Sequence, residues 1–267
     1  MHQNGFTVKA VVFTCCLGLL ALAFYSGCKK ELSLEMRGPI DSTDTTGNPQ
    51  PVDTTQDTLN YQPTSAGSYW YYYPSNNPGQ LYLNVVSTDR DTSFHNHSYH
   101  IFTLYLNNSN TTSYMRREGN AYYAAGGLFS GAQFTSAISS YLPQPLLDSL
   151  QYAEVLYLRS DLPDGSNWTQ TQDFVYQSSS GVKVELKLDF NFTIQSRTAN
   201  LLLQGNAFSN VITENITVNV QLLVSGVTLY NQSFTSTLLA ANQVGIISFT
   251  SMDGTGQEID LYNYHIN

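Results

Sequence analysis

One alternating stretch, VKVELKLDFNFTI at residues 182–194, decides the fold class. Every second residue is apolar, and the residues between are polar or charged. Because successive side chains of a β-strand point to opposite faces, this pattern predicts a half-buried strand about 43 Å long. The predicted core face comprises Val182, Val184, Leu186, Leu188, Phe190, Phe192 and Ile194. A sheet built around this strand should therefore have one buried face.

Further strand-like runs lie on both sides of this stretch. A second long strand is predicted at 216–224, followed by a turn at Ser225-Gly226 and a return strand at 227–234. Shorter strands are predicted at 68–73, 80–87, 99–106, 113–117, 153–158, 244–250 and 259–266. Clusters of Pro, Asn, Ser and Gly separate many of these runs, which indicates an antiparallel meander.

The segment 126–150 departs from the period-two pattern. Residues 133–142 and 145–150 have loose helical spacing between prolines, so one or two short helices are expected there. The predicted fold is therefore all-β, an antiparallel meander curved into a half-barrel or roll, with a short helical insertion.

Composition agrees with a β-rich fold and narrows the possible partners. The 267 residues include 19 Tyr, and only 12% of them are charged. Twenty acidic and eleven basic residues give a net charge of -9, and no basic cluster occurs. Nucleic acid is therefore a poor candidate partner, since phosphate backbones attract basic surfaces.

The N-terminal segment has the features of an export signal. An apolar run of 14 residues at 11–24 is shorter than the ~20 residues that a membrane-spanning helix needs. Tyr25-Ser26-Gly27-Cys28 follows it and resembles the lipobox of bacterial lipoproteins. The resemblance implies that residues 1–27 are a lipoprotein signal peptide and that Cys28 is acylated, anchoring the chain to a membrane. Cys28 would then be the only cysteine of the mature chain, because Cys15 and Cys16 are removed.

Residues 28–62 are predicted to be the acylated Cys and a disordered tether. They are rich in Pro, Asp and Thr, with too few apolar residues to form a core. Lys29-Lys30-Glu31 is similar to the charged signal of surface-displayed Bacteroidota lipoproteins. Four Asp-Ser/Thr triplets in the tether resemble the O-glycosylation motif of that phylum, and a plain spacer is the alternative. The predicted location is the cell envelope at the outer membrane, either facing the periplasm or exposed at the surface.

A short pattern occurs twice in the remaining chain. Gly67-Ser68-Tyr69-Trp70 recurs as Gly165-Ser166-Asn167-Trp168, and these contain the only two Trp residues. The arrangement resembles an uncharacterised β-rich family of Bacteroidota lipoproteins with Gly-x-x-Trp modules. The resemblance implies two β-modules, residues 63–150 with the helical insertion and residues 151–267, forming one continuous globular domain. Chance recurrence is the alternative.

The first predicted strand carries the candidate ligand-binding residues. Tyr69, Tyr71 and Tyr73 share one face of it, while Trp70 and Tyr72 share the other. One face should be core. The other is either covered by a second layer or offers its rings to a ligand such as a glycan.

Other candidate chemistry is weaker. His95, His97 and His100 are close in sequence, but no Cys or acid nearby completes a metal site, so an exposed polar turn is expected. Asp161 and Asp164 flank Pro163 and are interpreted as turn formers rather than a catalytic pair. No Gly-x-Ser-x-Gly elbow occurs. No catalytic, metal-binding or cofactor-binding residue is therefore assigned.

The predicted function is a non-enzymatic binding or presentation role for an envelope-anchored lipoprotein. Handling of a lipid or other apolar ligand is the leading form, because a curved sheet with an apolar concave face has to be filled. The alternative is a glycan- or protein-binding surface module accessory to nutrient capture or adhesion.

Overall fold

A computed structural model describes residues 59–106, 109–126, 138, 141–252 and 255–267. The predicted signal peptide, Cys28 and the tether up to residue 58 lie outside these residues. Most of the helix predicted at 133–142 lies outside them as well.

The described residues contain twelve strands in one antiparallel sheet and one short helix, α1 (Gln144–Leu150). The strands are β1 (Tyr69–Pro74), β2 (Leu83–Phe94), β3 (His97–Leu106), β4 (Ser109–Glu118), β5 (Ala121–Gly126), β6 (Glu154–Arg159), β7 (Asn167–Gln177), β8 (Lys183–Leu203), β9 (Asn206–Val224), β10 (Val227–Ala241), β11 (Gly245–Thr250) and β12 (Glu258–His265).

Pairing between neighbours in sequence almost closes this sheet into a barrel. Every strand pairs with the next one along the chain except at β6 and β7, and β1 also pairs with β12. The two strand edges that remain without a backbone ladder are those of β6 and β7. The predicted all-β antiparallel roll with a short helical insertion is confirmed.

Residues 183–194 of the strand predicted at 182–194 form the first part of β8, which has 21 residues. Its even-numbered residues from Val184 to Ile194 are buried, and the intervening side chains lie on the outer face. A register shift between Ile194 and Ser196 interrupts the alternation, and the strand continues to Leu203. The prediction ended early because a β-bulge breaks the period of two without ending the pairing.

Side chains of the chain itself occupy the barrel interior. Trp70, Tyr122, Tyr157, Phe190 and Phe192 are all buried in one apolar cluster. The helix α1 adds two buried residues, Leu146 and Leu150, to the same cluster. The insertion therefore contributes to the core, and the short helix predicted at 145–150 is present.

Two residues of the predicted tether are part of the folded domain. The tether was expected to reach residue 62, but Tyr61 is 1% exposed and Gln62 is also buried. The hydroxyl of Tyr61 donates to the carbonyl of Asn210 (2.9 Å), and the hydroxyl of Tyr157 donates to Oε1 of Gln62 (2.9 Å). Tyr61 and Gln62 therefore belong to the β-domain and not to the tether.

The two Gly-x-x-Trp segments have the same local geometry. Gly67 N–H donates to Ser87 O (2.9 Å), and Ser87 N–H donates to Ser68 O (2.9 Å). In the second segment Gly165 N–H donates to Ile194 O (2.8 Å), and Ile194 N–H donates to Ser166 O (2.9 Å). Both glycines have a positive φ, 81° and 82°, which only glycine adopts without strain. Each segment thus opens a hairpin, β1–β2 or β7–β8, within one sheet.

Candidate functional site

The two faces of β1 separate core residues from candidate binding residues. Trp70 and Tyr72 point inward and are buried, and their polar atoms donate to the carbonyls of Val244 (2.7 Å) and Ile246 (2.8 Å). Tyr69, Tyr71 and Tyr73 are half-buried on the outer face. The structure thus places the three predicted ligand-binding residues on the outside of the barrel.

Pairing of β1 with β12 adds two more rings on this side. The ring centroids of Tyr69 and Tyr71 are 5.0 Å apart, those of Tyr69 and His265 5.8 Å, and those of Tyr73 and Tyr262 5.2 Å. Tyr262 is 49% exposed, and it lies at a register shift between the two strands. We call Tyr69, Tyr71, Tyr73, Tyr262 and His265 the aromatic column.

Sequence analysis did not identify Tyr262 and His265 as part of this site. Both lie in a strand that it predicted, at residues 259–266. The missing information was the pairing of the first strand with the last, which no local pattern encodes. Within the described residues, the hydroxyls of the four tyrosines in the column make no hydrogen bond to the protein. These hydroxyls are therefore available to a ligand.

Side chains of β7 close the gap between β6 and β7. The indole of Trp168 donates to the carbonyl of Leu156 (3.1 Å). The amide of Gln170 donates to the carbonyl of Glu154 (2.7 Å) and accepts from the N–H of Leu156 (3.0 Å). Gln172 also donates to the carbonyl of Glu154. Side-chain amides thus satisfy backbone groups that a neighbouring strand would otherwise pair.

One of the three grouped histidines takes part in a Ser-His-Asp arrangement. His100 Nε2 is 2.9 Å from Ser87 Oγ, and His100 Nδ1 is 2.8 Å from Asp91 Oδ1. Sequence analysis could not find it, because these residues meet only through the pairing of β2 with β3. His95 begins the β2–β3 turn with a positive φ and, like His97, is exposed, as expected of a polar turn.

The burial order of this arrangement is the reverse of that in serine hydrolases. The serine is 1% exposed and also lies 3.0 Å from the carbonyl of Thr64, whereas the side chain of Asp91 is 68% exposed. A nucleophile has to reach its substrate, while the orienting carboxylate is normally sheltered. The geometry therefore fits a structural connection between β2, β3 and the segment that precedes β1.

The remaining candidate carboxylates are held by cations. Both oxygens of Asp161 accept from Arg159, at 2.9 and 2.7 Å. Partial burial opposes ionisation of Asp161, but the hydrogen bonds and charge of Arg159 lower its pKa overall. Asp164 lies 3.8 Å from Arg197. Among the described residues, no group of three or more His, Cys, Asp and Glu side chains is arranged to hold a metal ion.

Glu214 has a different environment. It lies on the inner face of β9, is 0% exposed, and has no hydrogen-bond partner for either carboxylate oxygen within the described part of the chain. Burial raises its pKa well above the ordinary value. The carboxyl group should therefore keep its proton in the folded protein.

Comparison with solved structures gave one match. It is the crystal structure of a candidate lipoprotein from Parabacteroides distasonis, which is 9% identical in sequence, with a TM-score of 0.41. The match covers 79% of this chain and all of that one. No family model matches the chain, and no curated protein matches it. In the part of the chain that the structure describes, no helix is long and apolar enough to cross a membrane.

Proposed function

We propose that this protein is a lipid-anchored envelope protein whose β-domain binds glycans through the aromatic column. The observation that carries the proposal is the line of partly exposed tyrosine rings on the outer face of β1 and β12, with hydroxyls that no described residue binds. Aromatic faces pack against the apolar faces of sugar rings, while phenol groups exchange hydrogen bonds with sugar hydroxyls.

Packing of the interior favours this external site over an internal one. The lipid-handling prediction required a concave apolar face that needs a guest. In the described residues that face is covered by large aromatic side chains, by Leu146 and Leu150 of α1, and by Tyr61. A sheet filled by its own side chains has no need of a ligand for stability. Apolar-ligand binding stays a prediction and ranks second.

The predicted anchor and tether suit a role in binding at a surface. Acylation of Cys28 would hold the chain at the membrane, and a flexible coil over residues 31–58 would span roughly 30 Å. That length separates the β-domain from the lipid headgroups. The outer face of the barrel is then accessible to a polymer in the surroundings of the membrane.

Affinity gel electrophoresis on immobilised polysaccharides tests the proposal. Tyr71→Ala removes the central ring of the column and should abolish retardation. Tyr141→Ala is the matched control, because Tyr141 is 53% exposed and lies outside the column. Equal retardation of the two variants, or none of the unmodified protein on any polysaccharide, would contradict glycan binding through this column.

A further inference from the structure

Direct strand pairing places a second line of side chains at right angles to the aromatic column. Tyr71 of β1 pairs with Asn84 of β2 on one side and with Asn263 of β12 on the other. Asn84 pairs with Tyr105 of β3, and Tyr105 pairs with Asn110 of β4. Directly paired residues point to the same face, so these five side chains form one transverse row on the outside of the barrel.

The transverse row alternates amides with phenol rings. In order across the sheet it reads Asn263, Tyr71, Asn84, Tyr105 and Asn110. Five neighbouring strands at their usual spacing extend over about 19 Å. Tyr105 is 46% exposed, and Asn110 and Asn263 are exposed as well. The row is therefore long enough for several sugar units.

The row on one side of the transverse row is uncharged, and the acidic residue that pairs with Tyr73 on the other side, Asp260, is buried. The adjacent parallel row consists of His265, Tyr69, Val86, Thr103 and Thr112. Neither row contains Asp, Glu, Lys or Arg, although the whole chain carries a net charge of -9. A charged polymer would find no opposite charge in these rows, so their chemistry suits a neutral one.

An unsatisfied acceptor lies within the row. The side-chain oxygen of Asn84 is screened from solvent and has no hydrogen-bond partner in the described residues. A polar atom in this state costs free energy, which a donor from a ligand would recover. Asn84 lies between Tyr71 and Tyr105, so rotation of its side chain would bring this oxygen to a ligand hydroxyl group placed between the two rings.

We infer that this face binds a neutral polysaccharide whose chain lies across the strands, along the transverse row. Tyr71 and Tyr105 pack against sugar rings, and the amides of Asn84, Asn110 and Asn263 bind their hydroxyl groups. The inference rests on the proposed function and specifies its ligand class and direction. Tyr71 belongs to both the aromatic column and the transverse row, whereas Asn84 and Tyr105 belong to the row alone.

Side-chain composition favours a glycan over a protein partner. The centres of protein interfaces are enriched in Met, Arg and large apolar residues as well as in aromatics. The two rows contain one aliphatic residue, Val86, and no Met or Arg. Their amide, hydroxyl and phenol groups instead match a ligand with many hydroxyls and few apolar projections.

The test uses the purified protein in detergent against two groups of soluble polysaccharides. Dextran, starch and mannan are the neutral probes, and alginate and polygalacturonate are the acidic ones. Asn84→Ala and Tyr105→Ala should each raise Kd for a neutral probe about three- to tenfold. Asn219→Ala and Tyr141→Ala should not, because Asn219 is exposed on β9, outside both rows.

Thermal unfolding separates loss of binding from loss of fold. Asn84→Ala removes an acceptor that has no internal partner, so its Tm should be unchanged or higher. Binding that depends on Tyr71 but not on Asn84 or Tyr105 would overturn the transverse row and leave the proposed function standing. Tighter binding to alginate or polygalacturonate would overturn the neutral ligand. Binding to none of the probes would overturn both proposals. Both would also be overturned if the variants lost self-association and showed no change in polysaccharide binding.

Discussion

At the scale of single residues, Glu214 makes the clearest thermodynamic prediction. It pairs with Ile194 on β8 and Leu238 on β10, and burial and the nearby Glu214 both raise the pKa of Tyr157 on β6. Because burial raises its folded-state pKa above the ordinary value of 4.5, the unfolded chain ionises first as the pH rises. The folded state then binds more protons than the unfolded state, so stability falls with increasing pH.

Glu214→Gln should remove this dependence. Relative to the variant, the parent protein should lose up to about 1.4 kcal/mol of unfolding free energy for each pH unit above 4.5, until the folded-state pKa is reached. Urea denaturation between pH 4.5 and 7.5 measures the difference. Parallel pH profiles of the two proteins would show that the carboxylate has a partner in solution.

Residue patterns in the sequence predicted one face of the site and missed the rest. The alternation of Tyr69, Tyr71 and Tyr73 with Trp70 and Tyr72 separated outer from inner side chains, because the strand period is local. The rows across the sheet depend on which strands are neighbours and in which register. Asn84 and Tyr105 are 21 positions apart in sequence, and nothing in either segment specifies that they are opposite each other.

At the scale of elements, the sequence patterns did not predict β5 and β7, for different reasons. In β5, AYYAAG, small residues replace the β-branched ones that mark strands. In β7, NWTQTQDFVYQ, the inward positions carry Gln170 and Gln172 where an apolar residue would signal a core strand. These glutamines bind the backbone of β6, so the polar pattern reflects the incomplete closure of the barrel.

Substitution of Gln170 tests whether these side chains stabilise the gap between β6 and β7, which we call the seam. Gln170→Ala removes a donor to Glu154 O and an acceptor from Leu156 N–H. The N–H of Leu156 would lose its side-chain acceptor, while Glu154 O would keep Gln172 as a donor, so the free energy of unfolding should fall by about 1–3 kcal/mol. The neighbouring exposed Thr169 serves as the control, and Thr169→Ala should cost clearly less. Equal losses in chemical denaturation would show that the seam is not held by the Gln170 amide.

At the scale of the whole molecule, one pairing joins the first and last strands of the sheet. Tyr69 at the start of β1 pairs with His265 at the end of β12. Alternation predicted both strands, but the same pattern fits an open meander, and it does not encode the pairing of β1 with β12. The repeated Gly-x-x-Trp hairpins have equivalent registers, since Trp70 pairs with Val85 and Trp168 pairs with Phe192. A second hairpin of the same design thus lies in the same barrel.

The segment before β1 forms hydrogen bonds with the β10–β11 turn. Asn60 O accepts from Gln243 N–H (2.6 Å), and Asn60 N–H donates to Asn242 Oδ1 (2.8 Å) in the β10–β11 turn. These bonds and the burial of Tyr61 and Gln62 hold residues 60–62 against the sheet. Removal of the segment exposes the cluster that Tyr61 covers.

A chain that starts at Pro63 should therefore be less stable than one that starts at Leu59. Loss of a fully buried aromatic costs about 3–5 kcal/mol, and the hydrogen bonds of Asn60 and Gln62 are lost with it. A chain that starts at Leu59 should unfold in urea like the mature protein, because residues 31–58 have too few apolar groups to join the core. If the chains starting at Leu59 and Pro63 unfold at the same urea concentration, the entering segment does not hold the barrel closed. If both are much less stable than the mature protein, the tether itself packs against the domain.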